Sequence, residues 1–188
     1  KYVHLSAFKR KYKGKEVRHE FENDRIKVLA EIINRLPADE QVIIWAKYLY
    51  DIKQICKVLK GKSFVLYTGK QSEKQKEQSK QAFKASDAQF FVATPGSGGH
   101  GLTLNEAGTV IFYNNSFKYS ERLQAEDRCH RIGQNKNVHY IDIVCENSID
   151  ERIMSSISKK EDTLHSFQRE IDTAQGDKEK IKEFIRRL

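Results

Sequence analysis

Apolar residues along this chain fall into short unbroken runs, separated by longer stretches in which they recur every three or four positions. The segments Val42–Ala46, Ser63–Tyr67, Gln89–Ala93, Thr109–Tyr113 and Val138–Val144 read as strands, Val42–Ala46 being of the fully buried kind. Between them lie helical patterns. Asp24–Leu36 puts Ile26, Leu29, Ile33 and Leu36 on one face and stops at Pro37, and Leu49, Ile52, Cys56 and Leu59 mark a second helix. Ser72 and Gln75 have the spacing of a capping box for a polar helix ending near Ala85. A helix rich in arginine precedes the last strand. Ser148 and Glu151 then cap one with Ile149, Ile153 and Ile157 inward. Strand and helix in alternation predict an α/β fold with a parallel sheet and helices on both faces. Ligands gather at the carboxyl ends of such strands, which would bring Ala46–Lys47, Thr68–Gly69 and Thr94–Gly101 to one edge.

Beyond Lys160 the pattern predicts further helix through Leu164, Phe167 and Ile171, with a break near Gly176. Asp177 could cap a last helix with Ile181, Phe184, Ile185 and Leu188 on one side. That face either docks on the domain's own surface or meets another lobe or protein. The expected organisation is a basic arm or linker over 1–23, one α/β lobe over 24–160, and a helical extension over 161–188.

Charge sharpens the picture. The formal net charge is +8, and residues 1–20 carry seven Lys or Arg against Glu16 and Glu20, a local +5. The run Lys9–Lys15, with Tyr12 inside it, could track a phosphate backbone or be a disordered arm or linker. At 188 residues and 38% hydrophobic, the chain can bury one substantial core. No apolar run approaches the length that spans a membrane, so no membrane partner is expected. Cys56, Cys129 and Cys145 are scattered and never paired as CxxC, and the histidines show no ligand spacing. These facts argue against a disulfide framework or a metal site and for a reducing, intracellular compartment. The sole methionine is Met154, and the chain reads as a piece of a longer protein.

Two segments carry candidate chemistry. After the strand at Gln89–Ala93 comes Thr94–Pro95–Gly96–Ser97–Gly98–Gly99–His100–Gly101–Leu102–Thr103–Leu104. Glycine lets a backbone approach a ligand closely with its amides free for an anion, although glycine-rich turns after strands are common and mostly structural. Some thirty residues on, Gln124, Arg128 and Arg131 fall at i, i+4 and i+7, one face of a helix. Ala125, Cys129 and Ile132 form an adjoining apolar stripe suited to packing on the sheet. Two guanidinium groups so presented can grip a polyphosphate. Asp127, four residues before Arg131, leaves open a solvated ion-pair face.

Gly98–Gly99–His100–Gly101–Leu102–Thr103–Leu104, followed by Gln124–Ala125, Arg128 and His130–Arg131–Ile132–Gly133–Gln134, resembles motifs V and VI of the Swi/Snf-type ATPases. These belong to the superfamily-two helicases, and the match is to their C-terminal RecA-like lobe. Gln41–Lys47 resembles the motif IV strand, and Leu66–Tyr67–Thr68–Gly69 the turn after the next one. The likeness covers about Asp24 to Lys160.

The chain lacks a phosphate-binding P-loop. Gly61–Lys62–Ser63 has the ending, but position 56 is Cys56, and the triplet follows a helix and precedes a strand, the reverse of the required order. Asp39–Glu40 lies before a strand, not after one. The resemblance implies that ATP and Mg²⁺ are held mainly by an N-terminal RecA-like lobe of the same protein, the partner without which this chain is inactive. It further implies that Arg128 and Arg131 are catalytic fingers toward the γ-phosphoryl group. Gln124 and Gly101 would join them around the nucleotide. Lys47, Thr68, Gly69, Thr94, Gly99 and Thr103 would hold duplex DNA by its phosphates. The expected activity is DNA-dependent ATP hydrolysis with translocation, by a monomer, cytoplasmic in a bacterium or phage and nuclear in a eukaryote. The alternatives are a lobe of an unwinding DNA or RNA helicase, or a nucleic-acid- or protein-binding module without ATPase activity. Some positions depart from the family pattern. Gly96 stands where a basic residue is usual, Gly108 where an acid is common, Asn114 and Ser116 replace acids, and Tyr119 replaces a proline.

Overall fold

The computed structural model describes residues 7–12, 15–20, 24–97, 102–129, 137–160 and 162. Each strand run becomes a strand, slightly shorter than its pattern. Strands β3 (Val42–Trp45), β4 (Phe64–Tyr67), β5 (Phe90–Ala93), β6 (Thr109–Phe112) and β7 (His139–Asp142) form one parallel sheet in the order β4-β5-β3-β6-β7. The three inner strands are fully buried along their length, the reason their sequences are continuously apolar. Edge strand β7 is half open to solvent, and Ile143 and Val144 fall outside it.

Helices lie on both faces. Helices α1 (Arg25–Arg35) and α2 (Leu49–Val58) pack Leu29, Ile33, Ile52 and Ile55 onto Val42, Ile44, Val92 and Ile111. On the other face, α3 (Glu73–Lys84) and α4 (Tyr119–Glu126) contribute Phe83 and Ala125 to a core with Ile43, Trp45, Phe91 and Phe112. The adjoining stripe holds as expected for Ala125 and Cys129, both buried against the sheet. Leu49 does not follow the pattern: it opens α2 and is 40% exposed. The Ser72–Gln75 capping box forms, each side chain bonding the other's backbone. Helix α5 (Ile149–Ser158) buries Ile153, with Ile149 and Ile157 half-buried. Ser148 caps it by accepting from the Asp150 amide, whereas Glu151 accepts from Asn147 instead of from Ser148.

The basic N-terminal segment, expected as an arm or linker, contains an antiparallel hairpin, β1 (Ala7–Tyr12) with β2 (Lys15–Glu20), with Tyr12 and Lys15 paired at its end. The proposed helices after Lys160 lie outside the described residues, apart from Asp162, whose carboxylate accepts from the Tyr119 amide at 2.6 Å. No helix among the described residues is long and apolar enough to cross a membrane.

Candidate nucleotide and nucleic-acid interface

The sheet's carboxyl edge gathers Lys47, Thr68–Gly69 and Thr94–Ser97, as the alternation requires. Lys47 follows β3 and its amide donates to Asn114 Oδ1 at 2.8 Å, just past the neighbouring strand β6. Its Nζ donates to Ser116 Oγ at 2.6 Å and lies 3.6 Å from Glu121 Oε2 and 5.9 Å from the Phe117 ring centroid. Asn114 in turn donates to Asp51 at 2.7 Å, inside the molecule. The two positions where acids are usual in the family therefore carry neutral groups that seat Lys47 and Asp51.

Thr68 is 3% exposed, and its hydroxyl and amide both donate to Gln71 Oε1, at 2.7 and 2.6 Å. That bonding shapes the turn and leaves Gly69 exposed at its crest. Thr94, half-buried, donates its amide to Tyr67 and ends β5. A 3₁₀ turn over Pro95–Ser97 follows, in which Gly96 is exposed with open space where a Cβ would stand. Gly99 and Gly101 lie outside the described residues. Thr103 is half-buried in a segment that sends Leu102, Leu104 and Ala107 into the core.

The arginine segment departs from its periodicity. Helix α4 ends at Glu126, so Arg128 sits in the turn that follows. The Arg128 carbonyl accepts from the Leu104 amide at 2.9 Å, which draws that backbone out of the helical ladder and ties it to the segment after the glycine turn. Gln124 faces solvent while Arg128 is 7% exposed, so the two do not share a face. Arg131 lies outside the described residues.

Arg122, which no sequence pattern singles out as functional, anchors this unit. Its guanidinium is stacked 3.5 Å from the Phe112 ring centroid. It pairs with Asp142 on β7, donates to Glu126 at 2.5 Å and to Asn115 at 3.0 Å, and is 6% exposed. Burial works against its charge, but the hydrogen bond to Asp142 and that carboxylate's charge outweigh it, holding the guanidinium above its ordinary range. The Arg122–Glu126 spacing of four was the available signal. Gly108 is explained nearby. A Cβ there would come 2.6 Å from Glu40 Oε1, which also accepts from Thr109 at 2.7 Å, so Glu40 brings a carboxylate to a position where the family commonly has its own.

Burial pushes the Cys129 thiol up to about 12, with the Arg128 charge opposing, and pushes the Tyr48 hydroxyl up to about 12, helped by Asp51. Both groups are neutral when folded. A raised folded-state value gives stability that is intact below the ordinary values of 9.0 and 10.0 and lost as pH climbs toward 12. Urea midpoints are therefore expected to hold steady to about pH 9 and fall above it, with Cys129→Ala blunting the fall. An alkaline limb unchanged in that variant would deny Cys129 its part.

Residues 24–133 match the helicase conserved C-terminal domain family. The chain belongs to it. Its relatives narrow the assignment. The Lymphoid-specific helicase of Homo sapiens is 35% identical over 103 residues, 54% of this chain and 12% of that protein. The SWI/SNF chromatin-remodeling complex subunit snf22 of Schizosaccharomyces pombe is 42% identical over 77 residues, 41% of this chain and 5% of that protein. The crystal structure of the C-terminal part of the Fun30 ATPase domain superimposes with a TM-score of 0.64 at 26% identity, covering 72% of this chain and 47% of that one. This is the C-terminal RecA-like lobe of the Swi/Snf-type helicases. It spans a small fraction of those curated relatives' length.

Proposed function

We propose that this lobe closes on an N-terminal RecA-like lobe of the same protein to form a DNA-dependent ATPase that translocates on duplex DNA. The observation that supports this most is the bond from Leu104 to Arg128. It couples the segment that follows the glycine stretch in sequence to the arginine turn, so movement of one is felt by the other.

The donor set suits phosphate. Lys47, Gln124, Arg128 and Arg131 supply cationic and amide donors with no carboxylate among them, which fits nucleotide phosphates and leaves Mg²⁺ to the other lobe. ATP bound there supplies the phosphoryl group that is transferred to water. Arg131 is the finger that meets the developing charge, and Gln124, exposed on α4, contacts or orients at the rim. Arg128, 7% exposed in the turn after α4, is the buried member of the pair, placed by the fold beside the finger. The exposed backbone at Gly69 meets DNA phosphates together with Thr94, Gly99 and Thr103, and Gly101 binds the nucleotide. Thr68 supports the turn from beneath. Lys47 joins by exchanging its longer Glu121 contact for a phosphate. Phosphate contacts carry no base readout, so sequence preference is expected to be small.

The isolated lobe is expected to be inactive. The test is ATP turnover by the two-lobe protein with and without duplex DNA, beside a strand-displacement assay. Turnover stimulated by DNA without strand separation is the expected result. Turnover indifferent to DNA would remove the proposal, and separated strands would favour an unwinding helicase.

A further inference from the structure

The outward face of α2 carries an unusual arrangement of charge. On α1 and α3 lysines share the surface with exposed acids: Lys27 pairs with Asp24 at 2.7 Å, Lys76 with Glu73 at 2.7 Å and Lys80 with Glu77, and the exposed Lys74 and Lys84 lie on the same helix as the exposed Glu73 and Glu77. On α2, Lys53 and Lys57 are exposed, followed just past the helix by exposed Lys60 and Lys62. Among the described residues none of these four has a carboxylate within ion-pair distance. The helix has one acid, Asp51, which is fully buried and bonded by Asn114 on the inner side. Ile52, Ile55 and Leu59 fill the core, so the lysines are fixed outward.

Lysines at i and i+4, and at i+4 and i+7, repel one another on a helix surface. The macrodipole favours Lys57 in the last turn but does nothing for Lys53. A helix that keeps this repulsion without a counter-charge is matched to an external anion. Rises of roughly 6 and 4.5 Å between the three lysines make a line of point charges about 10 Å long. Apolar anchors are what a protein partner would need. The only exposed large apolar residue of α2 is Leu49, at the opposite end of the helix from Lys57 and Lys60. Lysine ammoniums without anchors fit a repeating phosphate backbone better than a folded surface.

We infer that Lys53, Lys57, Lys60 and Lys62 form a second phosphate-backbone contact, on the flank of the lobe, for duplex DNA that extends past the sheet's carboxyl edge. The inference rests on the duplex-DNA reading above for the identity of its ligand. Helix α2 runs from the carboxyl end of β3 back toward β4, so the stripe starts near the edge site and leads away from it.

The two-lobe protein carrying Lys53→Ala, Lys57→Ala and Lys60→Ala is compared with one carrying Lys74→Ala, Lys84→Ala and Lys159→Ala, an equal loss of exposed charge elsewhere. Affinity for a long duplex and for one just spanning the cleft is measured over a series of KCl concentrations. The slope of log affinity against log salt should fall by about 0.9 for each phosphate no longer neutralised, so by roughly 2 to 3 in the α2 variant on the long duplex. The short duplex and the control variant should keep the parent slope. An arginine triple at the same α2 positions should also keep it. Equal slopes in the α2 variant and the parent, or equal reductions in the α2 variant and the control, overturn the inference. A parent protein that binds no DNA refutes the functional proposal itself, a distinguishable failure.

Discussion

Replacing Arg131 by alanine in the two-lobe protein is expected to lower DNA-stimulated ATP turnover by roughly 10³-fold or more, while DNA affinity stays near that of the parent. Arginine fingers contribute on the order of 10³ to 10⁵ in rate because they meet charge that develops only in the transition state. Their removal therefore falls on kcat and hardly on binding. Arg128 provides the contrast. At 7% exposure, with its carbonyl bonded to Leu104, it belongs to the packed interior of the arginine turn. Alanine there should lower the melting temperature as well as the turnover, and some of the missing activity should return on cooling. Arg131→Ala should leave melting unchanged. Both variants are read by steady-state turnover, a DNA titration and a thermal melt. Full turnover in Arg131→Ala would end its assignment as a finger, and a normal melt in Arg128→Ala would return that residue to the surface chemistry its spacing suggests.

The inner sheet was legible because strands buried on both faces have nowhere to put a polar side chain. Val42–Trp45 and Phe90–Ala93 are uninterrupted apolar runs for that reason, and their turns could be placed at one edge from the alternation alone. The capping box at Ser72 was legible because both of its bonds are local. What the pattern hides depends on contacts between segments far apart in the chain. Arg122 reads as a surface charge on a polar helix. It is buried because Phe112 offers a ring face and Asp142 a carboxylate, from strands ten or more residues away on either side. The helix expected to run through Arg131 stops at Glu126, where the Arg128 carbonyl finds a partner on Leu104. Periodicity assumes that backbone groups stay within the ladder, and a tertiary hydrogen bond breaks that assumption without altering the sequence pattern. The hairpin over Ala7–Glu20 is hidden differently, since lysine and arginine fill positions where apolar residues usually announce a strand.

Asp150→Ala is expected to cost about 3 kcal/mol of stability, the lower part of the range of roughly 3 to 5 for breaking a buried ion pair. Arg25 opens α1 with 3% exposure, and its guanidinium pairs with Asp150 at the start of α5. The same guanidinium donates to the carbonyls of Tyr113 at 2.7 Å and Ile143 at 3.1 Å, just past β6 and β7. Asp150 also accepts from the Cys145 amide at 3.0 Å. One carboxylate thus closes a knot between two helices and the carboxyl ends of two strands. Removing it takes the Asp150 counter-ion from a guanidinium charge inside the fold and leaves it the two carbonyls, which is why the destabilisation should be severe and yet not the largest possible. For a chain of this size about 3 kcal/mol corresponds to a melting temperature lower by roughly 6 to 12 °C. Asp150→Asn should destabilise less, because the amide oxygen still accepts from Cys145 and Arg25. Replacing both partners, with Arg25→Met beside Asp150→Leu, should recover much of the stability, since an apolar pair carries no buried charge. A melt of Asp150→Ala that matched the parent would mean that water reaches Arg25, and that the knot contributes little to the placement of β6 and β7.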